Sequence, residues 1–218
     1  MTKNLSERIL TSLLLLFILF ISIFINKYLF LALLIVSSFI SFNEFNKLIK
    51  KSFKKEIKYI NTVQIFSALF LILFVYTSYQ IYGRSPITII WIISICIFSD
   101  TGGFVIGKLV GGKKLTKISP NKTIAGSVGS FLFALIPLIF LSLIDEIYND
   151  VHLAQLVIVS LLLSLICQAG DLLISYFKRK AKVKDTGSIL PGHGGLLDRI
   201  DGLIFVLPAA FLIDKIIF

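Results

Sequence analysis

The residues with chemistry to offer gather in one stretch, DLLISYFKRKAKVKDTGSILPGHGGLLDRID, from Asp171 to Asp201. It holds four aspartates (Asp171, Asp185, Asp198 and Asp201), a cationic run, one histidine and four glycines. Asp171, Ser175 and Lys178 stand at i, i+4 and i+7, so they share one helical face, with Arg179 one step round. Lys184, Asp185, Gly187, Pro191, Gly192, Gly194 and Gly195 then make a turn-rich loop around His193. Its glycines allow backbone N–H groups to approach an anion. Asp198 and Asp201, at i and i+3 of a new helix, project to one side with Arg199 between them. Carboxylates so placed are hard oxygen ligands of the kind Mg²⁺ takes when it is shared with phosphate. Lysines and arginines suit phosphate oxygens. Metal, phosphate and cations together point to phosphoryl or nucleotidyl transfer.

The elements that must position these groups are read from hydropathy. The 218 residues are 56% hydrophobic and only 16% charged, and mean hydropathy is +0.93. Long apolar runs at this composition exclude a soluble domain and predict an all-α, polytopic membrane protein. Seven spans are expected, at roughly 9–26, 28–43, 60–80, 86–106, 124–144, 153–175 and 201–218. The apolar run from Ile9 has a charged start like a secretory leader. No small-residue cleavage site follows it and a second run begins at Tyr28, so it reads as a retained first span. Asn26 and Lys27 would form the hairpin turn. The region 1–98 is read as amino-terminal spans, and 99–218 as the catalytic part of a single membrane domain. Cys96 and Cys167 lie inside apolar segments and read as buried thiols, which gives no support to a disulfide scaffold.

Net charge is +10, from 22 basic and 12 acidic residues. The basic residues cluster between spans. Lys47, Lys50, Lys51, Lys54, Lys55 and Lys58 lie in 43–58; Lys108, Lys113, Lys114, Lys117 and Lys122 lie in 107–123; the third group lies in 176–199. The alternate connections carry only Arg84, or are acidic with Asp145, Glu146 and Asp150. Seven spans place every basic loop on one side with Lys3 and Arg8, which puts the N-terminus in the cytoplasm. Topology and anionic lipid thus account for the charge without nucleic acid. The 43–58 segment is expected to be a juxtamembrane amphipathic helix, with Glu44 a solvated interfacial carboxylate.

Asp100 falls within the fourth span, where an acid costs about 2.5–3.5 kcal/mol. It should therefore face a cavity, a cation or a metal. Asp171 has the same problem from the sixth span, and both lie towards the cytoplasmic ends of their spans, where they could line one cavity. Gly102, Gly103 and Gly107 beside Asp100 are read as sites of close helix packing. Thr123 is expected to cap the fifth span, leaving N–H groups beside Lys122 suited to a phosphate.

The run Ser175, Lys178 and Arg179, Lys184 and Asp185, Gly187, Leu190 and Pro191, His193, Gly194 and Gly195, then Asp198, Arg199 and Asp201 resembles the full signature of the phosphatidate cytidylyltransferase (CDP-diacylglycerol synthase) family, with no departure. SDTGGFVIGKLVG at 99–111 resembles its second characteristic region, and SPNKT at 119–123 its Ser-Pro-x-Lys-Thr motif. The resemblance covers 99–201, and the chain is shorter than many bacterial members, which implies fewer amino-terminal spans. It implies a nucleotidyltransferase of phospholipid biosynthesis in the inner (plasma) membrane, active on the cytoplasmic face. The reaction would join CTP and phosphatidic acid into CDP-diacylglycerol and pyrophosphate, with Mg²⁺ as cofactor and a homodimer as one assembly. On this reading Asp171, Asp185, Asp198 and Asp201 are metal ligands. Lys178, Arg179, Lys184 and Arg199 act with them on phosphate. Asp100, Ser119, Lys122, Ser175, Gly192, His193, Gly194 and Gly195 contact substrate. A related CTP-dependent lipid enzyme, such as a CDP-archaeol synthase or polyprenol kinase, is the nearer alternative. A transporter is the distant one, since intramembrane carboxylates also mark transport paths.

Overall fold

The computed structural model describes residues 3–53, 57–141 and 152–217. The acidic connection with Asp145, Glu146 and Asp150, and Lys54 and Lys55 of the basic segment, lie outside the described residues. Among the described residues the regular elements are helices, joined by loops that include 111–123 and 181–196, with no strand beyond two isolated bridges. Four helices are long and apolar enough to cross a membrane, at Lys27–Ser52, Tyr59–Arg84, Pro86–Val110 and Leu153–Lys180, and shorter apolar helices lie at Leu10–Ile25 and Ile124–Phe140. The protein is an all-α, polytopic membrane protein. It divides into two compact units, one of residues 1–86 and 176–201, the other of 87–175 and 202–218.

The first unit contains α1 (Lys3–Ile25), α2 (Lys27–Ser52), α3 (Ile57–Arg84) and the short α8 (Leu197–Ile200). Asn26 ends α1 and caps α2: its side chain accepts from the Tyr28 N–H at 2.8 Å, replacing a bond that helix geometry cannot supply. The Tyr82 hydroxyl of α3 donates to the Ile23 carbonyl at 2.8 Å, and the Tyr82 ring stacks on Phe30 with centroids 4.8 Å apart. Leu13, Phe17, Phe20, Phe24, Phe66 and Leu69 remain exposed, as lipid-facing side chains should. The second helix, short as an apolar run, reaches into the polar segment after it. It runs unbroken through Ser52, so the first half of the expected juxtamembrane helix is the end of the span itself. Its buried positions, Phe30, Leu34, Ser38, Ser41, Glu44 and Leu48, recur every three or four residues and form one face. Of the lysines near its end, Lys50 and Lys51 stay exposed or lie in its last turn, where a cation complements the helix dipole.

The second unit contains α4 (Pro86–Val110), α5 (Ile124–Phe133), α6 (Ile136–Leu141), most of α7 (Leu153–Lys180) and α9 (Leu203–Ile217). The fifth span is broken. Pro137 has no N–H to donate and disfavours helical geometry in the residue before it. The chain passes Ala134 and Leu135 through i→i+3 bonds instead, Leu135 N–H to Leu132 O at 3.3 Å and Leu138 N–H to Leu135 O at 3.1 Å. A second break follows α8, where Asp201 and Gly202 form a turn before α9. Asp201 is the C-cap of α8 with helical backbone angles, φ −57° and ψ −41°, so it keeps the i, i+3 relation to Asp198 and the break comes after it.

Helices α4 and α5 meet backbone to backbone. A Cβ at Gly102 would stand 2.5 Å from the Gly129 carbonyl oxygen, and one at Gly126 would stand 2.7 Å from that of Gly103. The glycines thus serve the close packing expected of them. This contact brings Thr123 and the loop before it against the end of α4 that carries Asp100. Gly129→Ala should lower thermal stability in detergent by about 1–3 kcal/mol, since its Cβ would meet Ile106 Cβ at 2.5 Å. Gly83→Ala, with no atom within 4 Å, should instead be neutral or gain up to about 1 kcal/mol from helix propensity. Equal unfolding midpoints for the two variants would contradict the packing account.

Candidate functional site

Two polar clusters occupy the described residues, one in each unit. In the first unit the glycine loop folds around two carboxylates. Oδ2 of Asp198 accepts from the Thr186 N–H at 2.8 Å, the Thr186 hydroxyl at 3.0 Å and the Gly195 N–H at 3.1 Å. Its Oδ1 accepts from Lys178 Nζ at 2.8 Å. Burial raises the Asp198 pKa, but the hydrogen bonds from Lys178, Thr186 and Gly195 outweigh it and hold the carboxyl below its usual range. Glu44 enters from α2. Its Oε1 accepts from the Leu196 N–H at 3.1 Å, and its Oε2 from the Leu197 N–H at 2.8 Å and the Thr186 hydroxyl at 3.2 Å. Glu44 is 3% exposed, so the expectation of a solvated interfacial carboxylate is corrected. The buried face of α2 continues through this position, and the loop supplies donors in place of water.

The loop glycines are explained by these carboxylates. A Cβ at Gly187 would overlap Glu44 Oε1, and one at Gly195 would stand 2.6 Å from Glu44 Oε2. Gly194, at φ +86°, would bring a Cβ to 3.0 Å from Asp185 Cβ and 3.2 Å from Asp198 Oδ2, a backbone region costly for other residues. The N–H groups of His193 and Gly194 bond to the Leu190 carbonyl and that of Gly195 to Asp198, so these three donors are spent inside the loop. The His193 ring is held from α1, with Thr11 Oγ1 2.5 Å from Nδ1 and Ser12 Oγ 3.1 Å from Nε2. Arg199 Nη2 donates to the His193 carbonyl at 3.0 Å. Arg179, Lys184, Asp185 and Gly192 lie on the exposed side of this unit, and Asp201 is half-buried at its end.

The second unit holds a cavity of about 310 Å³ lined by Asp100, Ser119, Lys122, Gln168 and Asp171, with Phe104 and Leu115 as apolar wall. Lys122 forms an ion pair with Asp171, which also accepts from Ser175 Oγ at 3.3 Å. The Cys167 thiol points at Asp100 Oδ1 at 4.0 Å. Gln168 is fixed between Ser127, which donates to its Oε1 at 2.6 Å, and Ser164, which receives its Nε2–H at 3.4 Å. Thr123 caps α5, accepting from the Gly126 N–H at 3.0 Å. Asp100 and Asp171 thus line one cavity, as their places in the fourth and sixth spans allowed.

Among the described residues no three Asp, Glu, His or Cys side chains form a ready metal cage. The four aspartates expected as ligands are divided: Asp171 is in the second unit and Asp185, Asp198 and Asp201 are in the first. Two carboxylates with neutral oxygens around them still suit Mg²⁺, which often takes one or two carboxylates and completes its shell with water and phosphate. Asp100 and Asp171 line one cavity with Ser119 and Asn121, a set of oxygen donors of that chemical kind. Glu44, Thr11, Ser12, Thr186 and Gln168 were missed from sequence as site residues. The signal for Glu44 was its place at three- and four-residue spacing from Ser38 and Ser41, on the buried face of α2; Thr11 and Ser12 gave none.

A family model described as "Cytidylyltransferase family" matches residues 60–217. The chain is similar to proteins named phosphatidate cytidylyltransferase, at 48% identity in Staphylococcus saprophyticus and 50% in Staphylococcus aureus, each over 112 residues. A third from Staphylococcus epidermidis is 47% identical over 113 residues. Each match takes in 50% of this chain and 42% of the relative, so it spans less than half of the relative's length.

Asp198→Asn should lower stability by about 1–3 kcal/mol at pH 7, because it leaves donors unmatched around a buried oxygen. The folded-state pKa is depressed, so the wild-type advantage is fully present above the unfolded value of about 3.9 and lost as pH falls through the lower folded value. Thermal unfolding of both proteins from pH 7 to 3 checks this. A gap that closes between pH 7 and 5 would contradict the stated bonds.

Proposed function

The chain belongs to the cytidylyltransferase family, and from that premise we propose that it joins CTP to phosphatidic acid, giving CDP-diacylglycerol and pyrophosphate. A phosphate oxygen of the lipid forms a bond to the α-phosphorus of CTP while the bond from that phosphorus to the bridging oxygen breaks. The electron pair leaves on pyrophosphate. The attacking phosphate is already ionised near neutral pH, so no general base is needed. The single observation that carries this reading is the cavity where the Asp171–Lys122 pair, Asp100 and Ser119 converge. Its cation and carboxylates have the chemistry of a metal-nucleotide site.

Lys122, with Ser119 and the capped start of α5, is assigned to phosphate oxygens. Lys178, Arg179, Lys184 and Arg199 of the signature stretch are the other phosphate-holding cations. Asp198 aims Lys178, and Arg199 is steadied through the His193 carbonyl. Asp100 and Asp171 would hold Mg²⁺, with Asp185, Asp198 and Asp201 as further candidates. Bound there, the metal neutralises charge on the nucleotide phosphates. The positive-inside distribution supports an N-terminus and basic loops in the cytoplasm, with the protein in the plasma membrane. That side supplies CTP, while the bilayer supplies the lipid.

Purified protein in phosphatidic acid micelles with labelled CTP should yield labelled liponucleotide and pyrophosphate, only with divalent metal present. Asp171→Asn and Asp201→Asn should each lower turnover about 100-fold or more while remaining folded. No product despite CTP binding would point to another lipid acceptor, and near-normal turnover in either variant would remove that residue from the metal role.

A further inference from the structure

A buried carboxylate outside the signature controls the shape of the signature loop. The geometry points to Glu44 as a positioning residue for cytidylyl transfer, fixing the 186–198 loop and, through it, the Asp198–Lys178 pair. This role rests on the activity proposed above, but its structural half stands without it.

Glu44 is 142 residues from Thr186 in sequence and reaches the loop from the buried face of α2. It is 3% exposed, and each of its oxygens is taken up by loop donors. It satisfies the Leu196 and Leu197 N–H groups, which α8, only four residues long, cannot satisfy itself. The Thr186 hydroxyl lies between Glu44 Oε2 at 3.2 Å and Asp198 Oδ2 at 3.0 Å. One proton therefore ties the two carboxylates to a common donor. Asp198 in turn spends Oδ1 on Lys178, so the direction of the Lys178 ammonium depends on a chain that begins at Glu44. Gly187 and Gly195 clear the space that Glu44 fills; the carboxylate and the glycines are one steric unit. The interaction is also costly to lose. A buried N–H left without its carboxylate acceptor, as at Leu197, costs free energy that the loop does not recover elsewhere.

The test is Glu44→Gln, which keeps size and turns one acceptor into a donor facing a backbone N–H. Hydrogen–deuterium exchange and kinetics are read on the same folded preparation. Exchange in peptides covering 186–198 should rise selectively, with α3 unchanged. The kcat should fall about 10- to 100-fold, the size of loss seen when a partner orienting a functional group is removed, and KM for CTP should move less than about threefold. Thr186→Val should act on the same chain, so the double variant should lose less than the product of the two single losses. Unchanged loop exchange in Glu44→Gln overturns the structural half whatever the activity. Raised exchange with kcat within twofold of wild type overturns the positioning role. Raised exchange in a protein whose wild type transfers no cytidylyl group would instead sink the proposed reaction and leave the loop anchor standing.

Discussion

Taking a carboxylate out of water costs several kcal/mol unless other donors or a cation replace its hydration, and three carboxylates here are met in that way. Glu44 and Asp198 are clasped by loop N–H groups, the Thr186 hydroxyl and Lys178. Asp171 is matched by Lys122 and Ser175. Around Glu44 and Asp198 the match requires the backbone to come close, and this sets where glycine must stand. The helical frame has the same origin: in hydrocarbon the backbone must satisfy itself, so only helices are available to carry these groups.

The two units solve the problem differently. In the second unit the polar atoms are mainly side chains on helices. Ser99 and Ser164 lie 2.8 Å apart, and Gln168 links Ser164 to Ser127. Interhelical bonds of this kind are modest singly, but they orient a cavity wall that also holds Asp100 and Asp171. In the first unit the ligands of the carboxylates are largely main chain. A loop bonded in this way has few alternative shapes, because an N–H that moves away from its carboxylate loses its acceptor. Such preorganisation suits a site that stabilises charge rather than one that exchanges protons.

The resemblance to a lipid cytidylyltransferase signature gains physical content from these contacts. Lys178, Asp198, Gly194 and Gly195 form one cluster, and Ser119, Lys122 and Asp171 line another. The glycines serve space as well as backbone freedom, which Gly192 and Gly194 use at positive φ. Gly195 gives its N–H to Asp198, and Gly187 and Gly195 leave room for Glu44. At Gly187 and Gly195 the absence of a side chain makes space for a neighbouring carboxylate.

Sequence by itself determined what depends on composition and short spacing. The long apolar runs specify membrane helices, the cap at Thr123 marks a helix start, and the order of Lys178, Asp198 and the glycines identifies the family. Each is encoded within a few turns of chain. Even the burial of Glu44 was written in the three- and four-residue spacing of Phe30, Leu34, Ser38 and Ser41 along α2. What Glu44 meets was decided only by tertiary structure, because Thr186, Leu196 and Leu197 lie far along the chain and are brought to it by folding. The same holds for Thr11 and Ser12 at the His193 ring, since two hydroxyls in an apolar helix announce no partner. The helix breaks at Ala134 and after Asp201 required the fold as well. Proline and glycine permit a break in the helical ladder, and packing decides where it is made.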